Sequence, residues 1–172
     1  LAVAGCGRIT PKPVTFHWWV GREAPIFDPD GPPDPVRASL ERLLTRALVS
    51  EDSLGAPGLD AAAALAISAD RLRYTFTLRS GLRFVDGTPC GSEAFRGALL
   101  AGLERTDHGT RGWLLNAVRG VDAVRTRRPL PPIAITAPDS RTLVIELVRP
   151  DSLLLRKLAV PGASSAWAKR TP

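Results

Sequence analysis

The stretch from residue 72 to residue 105 constrains the fold more than any other part of the sequence. Residues 72–79 (Leu-Arg-Tyr-Thr-Phe-Thr-Leu-Arg) alternate apolar and polar side chains, which is the period of a strand with one buried face. After a turn at Ser80-Gly81, apolar residues recur at helical spacing from Ser92 to about Arg105. Such a strand and such a helix bury their apolar sides against neighbouring elements, so the stretch predicts a mixed α/β (α+β) domain.

The segment between this strand and this helix predicts a tight connection. Residues 82–85 are expected to form a short strand, closed at Asp86-Gly87 by a turn in which glycine supplies the positive backbone angle. Thr88-Pro89 favours an extended approach to the helix, and Ser92 is expected to cap its free amide groups. Cys90 is interpreted as a small core side chain and not as a reactive thiol.

Elements of both kinds are predicted upstream. Residues 14–20 are rich in aromatic and β-branched residues and predict a strand, whose two tryptophans we assign to the core in preference to ligand stacking. After a proline-rich loop, Asp34-Pro35 is typical of a helix start, with apolar residues continuing at helical spacing to Leu48. Residues 50–60 are turn-like, and the composition of residues 61–67 fits either a strand or a helix.

Three further elements are predicted downstream. Residues 113–118 have a helical pattern that Gly120 ends or bends. Residues 133–147 predict a hairpin that turns at Pro138-Asp139-Ser140. A last helical segment is expected to begin at Pro150-Asp151-Ser152.

Composition and charge exclude several functions. The 172 residues suffice for one domain with a sizeable core, or for two small ones, and no apolar run is long enough to cross a bilayer. The net charge of +6 raises the question of an anionic partner. The arginines are too dispersed, however, to form the basic stripe of a nucleic-acid-binding surface. Enrichment in Arg, Ala, Gly and Pro is also typical of a GC-rich genome. No metal-ligand, nucleophile, phosphate-loop or dinucleotide motif is present, so we expect no enzyme, no cofactor and no metal.

The first residues suggest a lipid anchor. Residues 1–5 (Leu-Ala-Val-Ala-Gly) precede Cys6, and small side chains before a single cysteine are typical of a bacterial lipobox. In that interpretation, residues 1–5 are the remnant of a lipoprotein signal peptide, Cys6 carries the lipid, and residues 6–13 form a mobile tether. The alternative is an apolar strand with a buried cysteine.

The order of elements and several strings resemble the N-terminal part of the bacterial family 5 extracellular solute-binding proteins. Residues 74–89 (Tyr-Thr-Phe-Thr-Leu-Arg-Ser-Gly-Leu-Arg-Phe-Val-Asp-Gly-Thr-Pro) are similar to the family's signature, a strand followed by a glycine turn, Asp-Gly and Thr-Pro before a helix. Phe27-Asp28-Pro29 and Val148-Arg149-Pro150 resemble further family strings, in the right order. The chain departs from the family at Arg71, where Asp-Gly is usual before the Tyr-Thr-Phe strand.

The resemblance implies a fold and a domain organisation. The implied fold is a periplasmic-binding-protein-like type II fold, truncated to part of lobe one with its inserted subdomain. Residues 14–45 then provide the first strand, loop and helix of lobe one, and residues 46–172 provide the inserted α+β subdomain.

The resemblance also implies a function. The chain is expected to be a fragment of a lipid-anchored, monomeric substrate-binding protein. That protein is expected to lie in the periplasm, at the outer face of the cytoplasmic membrane. It would capture a peptide or another small solute there and present it to a membrane-embedded ABC permease. The residues implied nearest the ligand are Pro33, Asp34 and Pro35, with a helix cap as the alternative role of Asp34. One competing hypothesis is a truncated lipoprotein that serves as a protein-interaction scaffold. The other is a basic nucleic-acid module or the receptor-like sensing half of a transcription regulator, which a lipobox disfavours.

Overall fold

The computed structural model describes residue 17 and residues 34–104, 113–121 and 132–165. These residues form three helices and six strands. In chain order the elements are α1 (Pro35–Leu44), β1 (Val49–Glu51), β2 (Pro57–Leu59), β3 (Ala62–Ile67), β4 (Arg73–Leu78), α2 (Ser92–Glu104), β5 (Ile135–Asp139), β6 (Thr142–Glu146) and α3 (Leu154–Leu158). No helix in these ranges is long and apolar enough to cross a membrane.

The centre of the fold is an antiparallel sheet with the strand order β3-β4-β6-β5. Its register places Tyr74 opposite Ile145 and Phe76 opposite Leu143, so these four buried side chains share one face of the sheet. Helix α2 packs against β5 and β6 and contributes Phe95 and other apolar residues to the same core. The alternation of strand β4 and the helical period of α2 thus produce a sheet and a helix that pack as two layers, in agreement with the predicted mixed α/β domain.

A smaller unit is attached at the side of this sheet. Strands β1 and β2 pair antiparallel, and Ala47, just before β1, forms a β-bridge with Ser165 near the end of the described chain. Leu48 and Val49 are buried in the common core, and α3 packs against β1. The short hairpin therefore connects α1 to the main sheet.

Most of the predicted elements are confirmed. The helix that begins after Asp34, the strand at residues 73–78, the helix from Ser92 and the hairpin at residues 135–146 all occur, and residues 62–67 are a strand. Gly87 has a φ of +83°, as the predicted Asp-Gly turn requires.

Four local predictions are wrong. Helix α1 ends at Leu44 instead of Leu48, because Ala47 and Leu48 enter the β-bridge and the hairpin. Residues 50–60 contain the β1–β2 hairpin, not only turns. Residues 82–85 form no strand, since only Arg83 and Pro89 pair there. Residues 113–118 are consecutive turns and not a helix.

The predicted cap of helix α2 is a fifth prediction that the structure corrects. Ser92 is the first residue of the helix, and its hydroxyl donates to the backbone oxygen of Asp139 in the β5–β6 turn instead of accepting from the helix. The Ser92 amide donates to the Ser140 oxygen at 2.9 Å. The side chain therefore fixes the helix start to the sheet, a tertiary contact that local sequence does not reveal.

The predicted strand at residues 14–20, apart from residue 17, and the proline-rich loop up to residue 33 lie outside the described residues. The predicted lipid tether lies there too. The domain boundaries at residues 5, 13 and 45 stay predictions.

Candidate functional site

Asp34 stands at the start of α1, where it caps the helix. Its Oδ1 accepts a hydrogen bond from the Val36 amide at 2.9 Å, and its backbone oxygen accepts one from Ala38 at 2.9 Å. Pro35 occupies the first helical position, where a missing amide hydrogen costs no helical bond. The predicted cap is confirmed, and Asp34 keeps a half-buried carboxylate at the entry to the helix.

Only Pro35 among the remaining predicted site residues lies in the described part of the chain. Cys6 and Pro33 lie outside the described residues. Pro35 is exposed, and its backbone oxygen accepts a hydrogen bond from the Ser39 hydroxyl at 2.9 Å. Ligand contact by Pro33, Asp34 and Pro35 stays a prediction.

A polar cleft of about 240 Å³ lies at the other end of α1. The C-terminal half of α1, the β1–β2 hairpin and the segment after α3 form its walls. The lining residues are Glu41, Arg42, Thr45, Ala47, Ser50, Glu51, Asp60, Ala159, Pro161, Gly162 and Ser165.

The charges around this cleft are largely paired with one another. Arg42 bonds Glu51 at 2.8 Å, and Arg46 bonds Asp60 at 3.0 Å. The second oxygen of Asp60 accepts from the Ala47 amide at 3.1 Å, which fixes the chain as it leaves α1. The cleft therefore offers both positively and negatively charged groups. The ion pair between Arg42 and Glu51 also holds α1 to the hairpin.

The cleft and the predicted ligand residues are separate. Asp34 precedes Glu41 by seven residues, which corresponds to roughly 10 Å along a helix axis. Glu41 is 1% exposed, and Asp34 is half-buried at the helix start. The α1 residues that line this cleft come from the C-terminal half of the helix, and the lining does not include Asp34 or Pro35.

The turns predicted for residues 50–60 gave no indication of this cleft. Three of the lining residues, Ser50, Glu51 and Asp60, belong to or follow the β1–β2 hairpin. The available signal was Val49-Ser50-Glu51 followed by a glycine-containing turn, which is a short hairpin pattern.

A second cavity lies in the core and is too small for a solute. It has a volume of about 20 Å³, roughly the space of one water molecule. Its lining includes Leu99, Leu103, Leu114 and Leu158.

The shifted titratable groups of the described chain have structural causes. Hydrogen bonds lower the pKa of three exposed carboxylates in turns. The Ser68 hydroxyl is the main donor to Asp70, and the Thr88 hydroxyl is the main donor to Asp86. At Asp139 the main donor is the Arg141 amide. Burial raises the pKa of the Cys90 thiol and keeps it protonated at neutral pH. Within the described ranges no group of three or more His, Cys, Asp or Glu side chains is arranged to hold a metal ion.

The fold defines a class of protein. It is the periplasmic-binding-protein type II fold, as comparison with solved structures shows. A structure of Listeria monocytogenes OppA bound to peptide matches with a TM-score of 0.73 and 21% identity, over 83% of this chain and 28% of that chain. Haemophilus influenzae OppA in complex with the peptide RPPGFSPFR matches with a TM-score of 0.69 and 19% identity, over 84% of this chain and 28% of that chain.

The family follows from the sequence itself. Residues 56–171 match the model of bacterial extracellular solute-binding proteins, family 5 Middle. The chain therefore belongs to the family 5 bacterial extracellular solute-binding proteins. The oligopeptide-binding protein OppA of Bacillus subtilis (strain 168) is 27% identical over 118 residues, which are 68% of this chain and 22% of that protein. The chain thus spans about a quarter of the length of these relatives.

Proposed function

We propose that this chain is part of a receptor that binds peptides outside the cytoplasmic membrane and presents them to an ABC permease. The observation that carries the proposal is the family match over residues 56–171, a range that includes the whole β-sheet and α2. The names of the relatives support peptide as the ligand class, since one is an oligopeptide-binding protein and two solved OppA structures contain peptide. In this function no covalent chemistry is needed.

The dimensions of the described part support a binding site shared with a second lobe. Ligand pockets typically measure about 300–1,000 Å³, and the polar cleft measures about 240 Å³. On one open face, each peptide hydrogen bond competes with water and contributes only about 0.5–1.5 kcal/mol. Association itself costs roughly 4 kcal/mol or more, so useful affinity requires closure of two lobes around the ligand.

Within lobe one, we assign ligand contact to the loop that enters α1, at Pro33, Asp34 and Pro35. Asp34 supports this role because its carboxylate stands half-buried at the helix start, with Oδ1 accepting from Val36. A carboxylate in this position attracts the amine of a peptide, while the prolines on either side of it supply no backbone amide donor.

We further propose that Cys6 carries lipid and holds the receptor at the outer face of the membrane as a monomer. Small residues before Cys6 and the glycine- and proline-containing tether after it support this. Labelled palmitate is expected to enter the wild-type protein and not Cys6→Ser. Equal labelling of both would exclude the anchor.

Peptide uptake tests the proposed function directly. Deletion of the gene is expected to abolish uptake of labelled tri- to pentapeptides, and a plasmid copy is expected to restore it. Asp34→Asn keeps the helix cap, since Asn caps as well as Asp, but removes the charge. It is expected to raise the KM of uptake several-fold.

Asp52→Asn is the matched control, because Asp52 also accepts backbone amides in a turn, from Leu54 at 2.8 Å and Ala56 at 2.9 Å. It is expected to leave uptake unchanged. Unchanged peptide uptake after gene deletion would contradict the receptor function and favour the protein-interaction scaffold.

A further inference from the structure

One end of the sheet carries a surface that the proposed solute binding does not use. It is the end at which β3 and β6 finish and β4 begins. We call it the basic end and define it by six exposed residues: Arg73, Trp113, Arg119, Val148, Arg149 and Leu153.

Backbone hydrogen bonds bring these residues to the same end. The Arg119 amide donates to the Glu146 oxygen at 2.9 Å, and the Val148 amide donates to the Ala117 oxygen at 2.8 Å. Residues 117–119 therefore run beside residues 146–148, directly beyond β6. Trp113 belongs to the same segment, and its ring centre lies 5.8 Å from the Lys157 ammonium, one helical turn after Leu153.

The apolar side chains at this end are large and accessible. Trp113 is 47% exposed, Val148 is 51% exposed and Leu153 is 53% exposed. Single exposed apolar residues are normal on any protein, but three at one end of a sheet, among arginines, are typical of an interaction surface.

The charge at the basic end is positive. Arg73 and Arg119 share one carboxylate, that of Glu146, at 3.5 and 3.2 Å. In the described part of the chain Arg149 has no ion-pair partner. Asp70 and Arg71, in the β3–β4 turn at the same end, offset each other in charge.

We propose that the basic end docks on the surface of an anionic phospholipid bilayer. The arginines complement anionic headgroups, and the chain's net charge of +6 adds attraction over longer distances. Tryptophan, with its apolar body and polar N–H, and aliphatic side chains flanked by arginine suit the boundary between headgroups and acyl chains. An acidic protein would complement the charge, but the large exposed Trp, Val and Leu favour a partner with an apolar layer beneath its charges.

Vesicle sedimentation with the Cys6→Ser chain tests the proposal, because no acyl chain then contributes. Binding is expected to vesicles of 30% phosphatidylglycerol in phosphatidylcholine and not to pure phosphatidylcholine. It is expected to weaken steeply when salt rises to about 0.5 M, since screening shortens the reach of the charges. Arg149→Gln should weaken binding about fivefold, and Leu153→Ser about threefold or more.

Matched controls come from the opposite end of the sheet. Arg83 and Val85 are exposed there, Val85 fully. Arg83→Gln and Val85→Ser should change vesicle binding less than twofold, and circular dichroism should show that all four variants are folded. Equal losses at both ends would mean that only overall charge acts, and would overturn the proposal. Failure to bind vesicles, with Arg149-dependent binding to soluble poly-L-glutamate, would overturn it in favour of an acidic protein.

Discussion

The buried ion pair between Lys157 and Asp151 is expected to be the most costly polar contact to break. Its two charged atoms are 2.5 Å apart, and the side chains are only 10% and 12% exposed. Lys157 also donates to Asn116 Oδ1 at 3.1 Å, so one ammonium joins α3 to the segment at residues 113–121. Asp151 in turn accepts from the Leu153 amide at 2.9 Å, next to the start of α3.

Lys157→Met leaves the Asp151 charge buried without its cation. Removing one partner of a buried pair typically costs about 3–5 kcal/mol. For a chain of this length, each kcal/mol lowers Tm by about 2–4 °C, so Tm should fall by roughly 6–20 °C. Asp151→Asn in the Lys157→Met background removes the orphaned charge and keeps an acceptor for Leu153, and is expected to restore most of the loss.

Urea denaturation of the two single variants, the double variant and the wild type measures the coupling. We expect a coupling free energy of at least about 2 kcal/mol. The exposed pair Arg42–Glu51, with side chains 55% and 33% exposed, is the control and should give less than about 1 kcal/mol in the same cycle. A coupling below about 1 kcal/mol for Lys157–Asp151 would refute the reasoning, because it would mean that water already solvates the pair.

Three further predictions concern turns. Gly120→Ala should lower the free energy of unfolding by about 2 kcal/mol or more, because a Cβ at its φ of +91° would lie 2.6 Å from the Pro132 oxygen; unfolding in urea measures this. Arg71→Gly should raise the free energy of unfolding by up to about 1 kcal/mol, and Tm with it, because Arg71 has a φ of +57°; an unchanged or lower Tm would mean that the added freedom of the unfolded chain outweighs the relief of backbone strain. Asp139→Asn should make acid unfolding less steep below about pH 4: the Asp139 carboxylate has a pKa below its ordinary value of 3.8, so its stabilisation is complete above that pH and is lost as pH falls. Acid titration followed by circular dichroism checks this, and an acid unfolding curve identical to that of the wild type would contradict it.

Local pattern was sufficient where an element's own residues determine it. The alternation of β4, the helical period of α2 and the Asp34-Pro35 start of α1 each depend on neighbours within a few residues, and each occurs as predicted. The resemblance in residues 74–89 then led to the family, which the match over residues 56–171 shows.

Local pattern failed where distant contacts decide the conformation. Residues 113–118 have a helical pattern, but the Val118–Leu147 bridge and the Val148–Ala117 hydrogen bond hold them beside β6 as turns. Ser92 is bound to the β5–β6 turn, 47 residues away along the chain, instead of capping its own helix. The polar cleft escaped prediction for the same reason, since its walls come from three parts of the chain.

Isothermal titration calorimetry with tri- to pentapeptides tests the central claim most directly. The product of the whole reading frame should bind at least one such peptide with one-to-one stoichiometry and micromolar or tighter affinity. The 172-residue chain alone should bind none of them that tightly, because the proposed mode of binding draws its affinity from closure of two lobes around the peptide. Micromolar binding by the 172-residue chain, or no peptide binding by the product of the whole reading frame, would contradict the account.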